Sequence, residues 1–148
     1  MEKPSTAETP PTQLNSRREL YAAIAKVQAE MPRLVKNSEA NTGKSGYKYI
    51  TLDAIWDAIR PLLAKYGLIS INRMEDGWLK SVLIHVESGE EEACSFPINI
   101  NQPPQQLGSA FTYARRYALC ALLQIVADKD DDGAAAQGGS ASVSPPNF

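Results

Sequence analysis

Apolar residues recur at Leu20, Ile24, Val27 and Met31, a spacing of i, i+4, i+7 and i+11 that predicts an amphipathic helix. Ser16-Arg17-Arg18-Glu19 ahead of it has capping-box spacing, and Pro32 marks its end. Residues 35–46 (VKNSEANTGKSG) are polar and contain Gly, which predicts a loop. Tyr47-Lys48-Tyr49 then reads as a short extended segment. Thr51 starts a second predicted helix, with Leu52, Ile55, Ile59 and Leu62 or Leu63 facing inward. Pro61 should kink or divide it, and Gly67 is a good stop after Tyr66.

Beyond Gly67 the pattern changes to alternation. Strands are predicted over 68–74, 78–87 and 92–100, separated by Glu75-Asp76-Gly77 and Ser88-Gly89-Glu90 turns. Trp78, Val82, Ile84 and Val86 fall on one face of the second strand, and Cys94, Phe96, Ile98 and Ile100 alternate on the third. Pro97 demotes the third strand toward an edge or a bulge. Such a meander offers one apolar face to a helix. After a loop holding Pro103-Pro104, a third main helix is predicted over 106–126. The expected architecture is α+β: a three-stranded antiparallel β-meander packed against helices, a β-β-β-α core preceded by two helices. The folded domain is expected over 16–132, between tails at 1–15 and 133–148 whose Pro/Thr/Glu-rich and Gly/Ala/Ser-rich compositions predict disorder.

The 148 residues and 43% hydrophobic content suit one core. The formal net charge of −2 does not announce a polyanion binder. Its distribution says more: residues 16–127 hold 13 Lys/Arg against 11 Asp/Glu, so the body is +2 and the acidic excess lies in the ends. Cys94 and Cys120 are far apart and lie in apolar stretches, so they read as reduced core thiols. The N-terminus lacks a charged-then-apolar signal, and the longest apolar run, 118–127, is too short to span a bilayer. A soluble, cytoplasmic protein is expected.

Chemistry concentrates on the third helix. Plotted at about 100° per residue, Leu107, Ala110, Phe111, Ala114, Ala118, Ala121, Leu122 and Ile125 form a stripe expected to pack on the sheet. Ser109, Thr112 and Arg116 fall opposite, Tyr113 lies beside them, and Arg115 sits at the stripe's flank. Leu119 and Leu123 continue on the Arg116 side, so the second half is apolar nearly all round and needs a second cover, from the first helices or from another subunit. The arginines read either as a solvated helix face or as phosphate contacts. Tyr47, Lys48 and Tyr49 read either as an edge strand or as the cation-plus-aromatic equipment that holds single-stranded nucleic acid. Lys36, Lys44, Arg73 and Lys80 are further basic candidates.

Enzymatic signatures are weak. His85 is the only histidine and is expected on a strand's outer face. Thr42-Gly43-Lys44-Ser45 lacks the upstream glycine, preceding strand and following helix of a phosphate loop. Asp128, Asp130, Asp131 and Asp132 cannot all converge on one ion, and the remaining positions of a calcium loop are missing. Neither metal, cofactor nor catalytic residue is expected. The acidic run reads as a solvated helix exit, or as a partner for a basic surface on a neighbouring subunit. A metal-dependent nuclease built on it is the alternative from another class.

The chain resembles the essential recombination function (ERF) family of phage single-strand annealing proteins. The resemblance rests on Tyr47-x-Tyr49-x-x-Leu52, on Ile59-Arg60-Pro61-Leu62-Leu63-x-x-Tyr66-Gly67-Leu68, and on Ser88-Gly89-Glu90. It continues through Gln105-x-x-Gly108-Ser109-x-x-Thr112-Tyr113-x-Arg115-Arg116-Tyr117-x-Leu119 and Asp130-Asp131-Asp132-Gly133. It implies a β-β-β-α core, assembly into rings or helical filaments, and ATP-independent pairing of complementary single strands of DNA. Under that resemblance Lys44, Lys48, Lys80, Arg115 and Arg116 are expected on phosphates, Tyr47, Tyr49 or Tyr113 on bases, and Gln105 and Thr112 on the strand as neutral donors. Leu119, Leu123, Asp130, Asp131 and Asp132 are expected between subunits. A single-strand-binding protein without annealing activity fits the same residues. The end Ser144-Pro145-Pro146-Asn147-Phe148 reads as an inert tail or as a docking peptide for a host replication or repair protein.

Overall fold

The computed structural model describes residues 15–42 and 45–126. Both expected tails (Asn15 apart), Lys44 and the aspartates at 128–132 lie outside the described residues. A 3-10 turn (Asn15–Arg17) leads into helix α1 (Arg18–Glu30), which buries Leu20, Ala23, Ile24 and Val27. The cap position falls at Arg17, one residue after the Ser16 at which the capping box was expected to start. The Arg17 side chain makes no capping bond. Instead the Leu20 N–H donates to Glu90 Oε2 at 2.7 Å, so a carboxylate 70 residues away meets the positive helix end. Glu92 joins it, accepting from the Tyr21 hydroxyl at 2.7 Å and lying 3.6 Å from the Arg17 guanidinium.

Residues 35–46, expected as a loop, contain strand β1 (Ser38–Thr42), which pairs antiparallel with β2 (Ser45–Tyr49). Helix α2 (Leu52–Lys65) follows and buries Ile55, Ile59 and Leu63. Asn37 ties the hairpin's entry to this helix start. Its Oδ1 accepts from the Thr51 N–H at 2.9 Å and its Nδ2 donates to Thr51 Oγ1 at 3.0 Å. Pro61 does not divide α2 as expected. Its exposed ring leaves Ile59 and Leu63, on either side, both anchored in the core.

The second sheet is the expected meander, β3 (Leu68–Glu75), β4 (Trp78–His85) and β5 (Glu91–Pro97), in that order. Asp76 and Gly77, at φ 49° and 77°, form the two-residue turn between β3 and β4. Pro97 closes β5, an edge strand. On β4 the face that meets the helices is not the one expected, whereas the alternating Cys94 and Phe96 of β5 do lie on it. Leu79, Ser81 and Leu83 share it with Leu68, Met74 and Phe96, whereas Trp78, Lys80, Val82 and Ile84 point to the other side. His85 falls on the Leu83 side by alternation, where its Nδ1 accepts from the Ser88 N–H at 3.3 Å. Ser81 is the buried polar residue of this face and lies 2.5 Å from Asn72 Oδ1, to which it donates.

Helix α3 (Pro104–Leu123) ends three residues before the expected 126, at Gln124 in the left-handed region (φ 55°). The break lets Ile125 turn into the core while its N–H donates to Cys120 O at 3.0 Å. The first half of α3 packs Leu107, Ala110, Phe111 and Ala114 on Leu79, Phe96 and Ile98. The second half packs Leu119 and Leu123 against Leu20, Val27, Ile55 and Leu63. Of the two covers left open by the sequence, α1 and α2 supply it, and Leu119 (6% exposed) and Leu123 (1%) are core residues rather than a subunit surface. Ala121, expected on the packed stripe, is exposed. Burial raises the pKa of both half-buried thiols, Cys94 and Cys120, favouring their protonated form.

Candidate nucleic-acid interface

The helical spacing of α3 places Gln105, Gly108, Ser109, Thr112, Arg115 and Arg116 along one wall of a cleft of about 880 Å³. The hairpin contributes Ala40, Tyr47 and Tyr49 to the facing wall, and the start of α2 closes one end with Thr51, Leu52, Asp53 and Trp56. Successive strand residues point to opposite faces, so Tyr47 and Tyr49 share the cleft side. Their rings lie 5.8 Å apart.

Arg116 joins the two walls. Its guanidinium carbon sits 4.3 Å from the Tyr49 ring centre and 5.4 Å from those of Tyr113 and Tyr117. Tyr113 and Tyr117 in turn lie 4.3 Å apart. A planar cation among aromatic faces keeps its edge donors directed outward from the rings, which suits phosphate recognition. Arg115 is exposed at the rim, while Arg116 is half-buried. The Tyr113 hydroxyl is held neutral far above neutral pH, first by burial and then by its bond to Tyr117. Asp53 is the one carboxylate of the lining. Hydrogen bonds from Thr51 and then the Ala54 N–H depress its pKa and keep it ionised. Two guanidinium groups against one carboxylate leave the cleft at +1.

The hydroxyls on α3 are turned inward along the helix. Ser109 donates to Gln105 O and Thr112 to Gly108 O, each at 3.2 Å. Thr112 therefore lines the cleft with its proton committed to α3, unlike the outward donor expected of it. Gln105 lines the cleft and is exposed.

Two expected contacts lie elsewhere. Lys48 alternates with Tyr47 and Tyr49, so it points away from the cleft, pairs with Glu39 at 3.6 Å and borders a separate recess with Lys36. Lys80 stands on the outer face of the meander beside Arg73, opposite the face that carries α3. Conversely, Trp56 and Asp53 line the cleft without having been singled out, and so does Gly108, named above only for the family resemblance. A glycine inside a helix pattern was the legible signal for Gly108; Trp56 carried none, because it sits beside the inward stripe of α2. Among the described residues no group of three or more His, Cys, Asp or Glu is placed to hold a metal ion. Nor, among them, is any helix long and apolar enough to cross a membrane.

Fold and cleft together define an α+β domain that presents arginines and aromatic rings along one groove, the side-chain set used to hold single-stranded nucleic acid. The family model described as the ERF superfamily matches residues 20–145, and the chain belongs to that family. No curated protein and no solved structure matched it. Membership points broadly to phage recombination by single-strand annealing and to interaction with single-stranded DNA.

Proposed function

We propose that this protein binds single-stranded DNA in the cleft between α3 and the β1–β2 hairpin and anneals complementary strands without ATP or any other cofactor. The observation that carries the reading is Arg116, whose guanidinium lies over the Tyr49 and Tyr113 rings where the two walls meet, with the exposed Arg115 beside it. In this mechanism Arg115 and Arg116 neutralise phosphates, Tyr47 and its neighbours stack on bases, and Gln105 bonds the strand as a neutral donor. Phosphate contacts fix a strand's position without reading its sequence. Two strands held extended and partly neutralised repel one another less, and base pairing then supplies both specificity and driving force. The protein acts by positioning and is not an enzyme.

Annealing by this route benefits from many cleft copies along one strand, and we propose that the protein works as a ring or helical filament. The outer face of the meander supports self-association: Ile69, Ile71 and Ile84 lie at one end of it and Trp78 at the other, with the Arg73–Lys80 pair between them, and Ile69 and Trp78 are 43% and 49% exposed. Apolar surface of this kind commonly marks an association site.

The test mixes two complementary labelled oligonucleotides with the protein in EDTA and without nucleotide. Accelerated duplex formation supports the proposal. Protection of single strands without acceleration reduces the protein to a single-strand binder. Repeated with magnesium in place of EDTA, degradation of the strands replaces the proposal with a nuclease using the aspartates at 128–132.

A further inference from the structure

We propose that Gly108 is a nucleobase slot: a base of the bound strand lies against the α3 backbone at this position, with the hairpin tyrosines Tyr47 and Tyr49 facing it and Trp56 closing one end of the cleft. The inference rests on the reading of the cleft as a single-stranded DNA interface, and it names which part of the strand enters.

Gly108 is the fifth residue of a twenty-residue helix. Glycine is the poorest helix former after proline, so an interior glycine needs a reason. Gly67, Gly77 and Gly89 have one, since their φ values of 68°, 77° and 73° suit glycine. Gly108 is not in the left-handed region, and a Cβ built on it meets no atom within 4 Å. The fold therefore leaves room for a side chain here and gains nothing by its absence. The room opens into the cleft, whose wall Gly108 forms.

The neighbouring side chains deepen this low point. Ser109 and Thr112 draw their hydroxyls down onto the carbonyls of Gln105 and Gly108. Gln105 lies about one turn before Gly108 on this wall, and Arg115 and Arg116 about two turns after it. Across the cleft are rings, with Tyr47 46% exposed. A phosphate at Gly108 would find no free backbone donor, because only the first four N–H groups of a helix lack a partner and Gly108 is the fifth. A flat base needs no donor there. It needs an aromatic face on one side and an obstacle-free wall on the other, and a methyl group on Gly108 would project into that gap.

Gly108→Ala separates folding from binding, measured with the full chain on a thymidine oligonucleotide and on an abasic oligomer of equal length. The expected variant melts about 4 °C higher, since alanine favours the helix. It binds the oligonucleotide roughly tenfold more weakly, the scale of one lost base stack. Its affinity for the abasic oligomer is unchanged. Equal affinity of variant and wild type for the oligonucleotide overturns the proposal. Equal loss on both oligomers also overturns it, because the sugar–phosphate chain and not a base would then approach Gly108. A lower melting point overturns the premise that the fold does not need this glycine. Wild-type protein that binds neither oligomer overturns the underlying reading of the cleft, a failure visible before any variant is made.

Discussion

Replacing Arg116 by alanine removes one cation from the cleft and one tie between the hairpin and α3, and the two losses have separate readouts. The guanidinium lies over three rings, at 4.3, 5.4 and 5.4 Å. Cation–π contacts at exposed sites contribute about 0.5–1 kcal/mol each. One cation shared among three rings does not sum them fully, so about 1–2 kcal/mol of stability is expected to go. Set against a typical domain stability of about 5–15 kcal/mol, the variant stays folded and melts roughly 4–8 °C lower. Binding changes in a different way. With Arg115 and Arg116 as the cleft's cations, about two phosphates are neutralised per subunit, giving a slope of log affinity on log salt near −1.4. Between 50 and 200 mM salt, wild-type affinity then falls about sevenfold, and Arg116→Ala, with a slope near −0.7, loses only about two- to threefold. Arg116→Lys keeps the charge, and so the slope, but loses the flat stack and binds more weakly at every salt concentration. Fluorescence anisotropy on labelled single strands across that salt range measures all three proteins. An unchanged slope in Arg116→Ala refutes the phosphate assignment and leaves Arg116 as a purely structural tie. A variant that fails to fold does the same.

Leu123→Ala should cost about 2–5 kcal/mol, the range for emptying a fully buried leucine site, without changing the assembly state of the folded protein. Ile69→Lys, on the outer sheet face, should lower the assembly mass in light scattering with little change in melting; the reverse pattern would return Leu123 to a subunit interface. Glu30→Gln should destabilise the protein at neutral pH by a small margin that disappears in acid. Glu30 accepts from Tyr66 and Lys65, which depress its pKa, so the stability it contributes is present above about 4.3, its ordinary value, and is lost as pH falls through the lower folded value. Melting curves of the two proteins that stay equally far apart down to pH 3 would show that the Glu30 charge is not involved.

Helices and meander were legible because each buries one side, and burial writes its period into the sequence. Of the β1–β2 hairpin only the Tyr47–Tyr49 part of β2 was, since Ser38, Glu39 and Asn41 put no apolar alternation into β1. That omission also misplaced Lys48: once the segment is a paired strand, a lysine between two cleft tyrosines must point the other way. On β4 both parities are apolar, with Leu79 and Leu83 on one face and Val82 and Ile84 on the other, so alternation alone could not choose the face that meets α3. The α3 wall was readable from helical spacing, as Gln105, Ser109, Thr112 and Arg116 show. The opposite wall was not, because Tyr49 reaches Arg116 only through tertiary folding across 67 positions of chain.

The central claim is that single-stranded DNA lies between α3 and the hairpin. Ultraviolet cross-linking of the protein to a 5-iodouracil-containing oligonucleotide, with the attached residues mapped by mass spectrometry, tests it most directly. The account predicts adducts at Tyr47, Tyr49, Trp56 or Tyr113, the aromatic lining of the cleft. Adducts confined to Trp78 would place the strand on the outer face of the meander and contradict it.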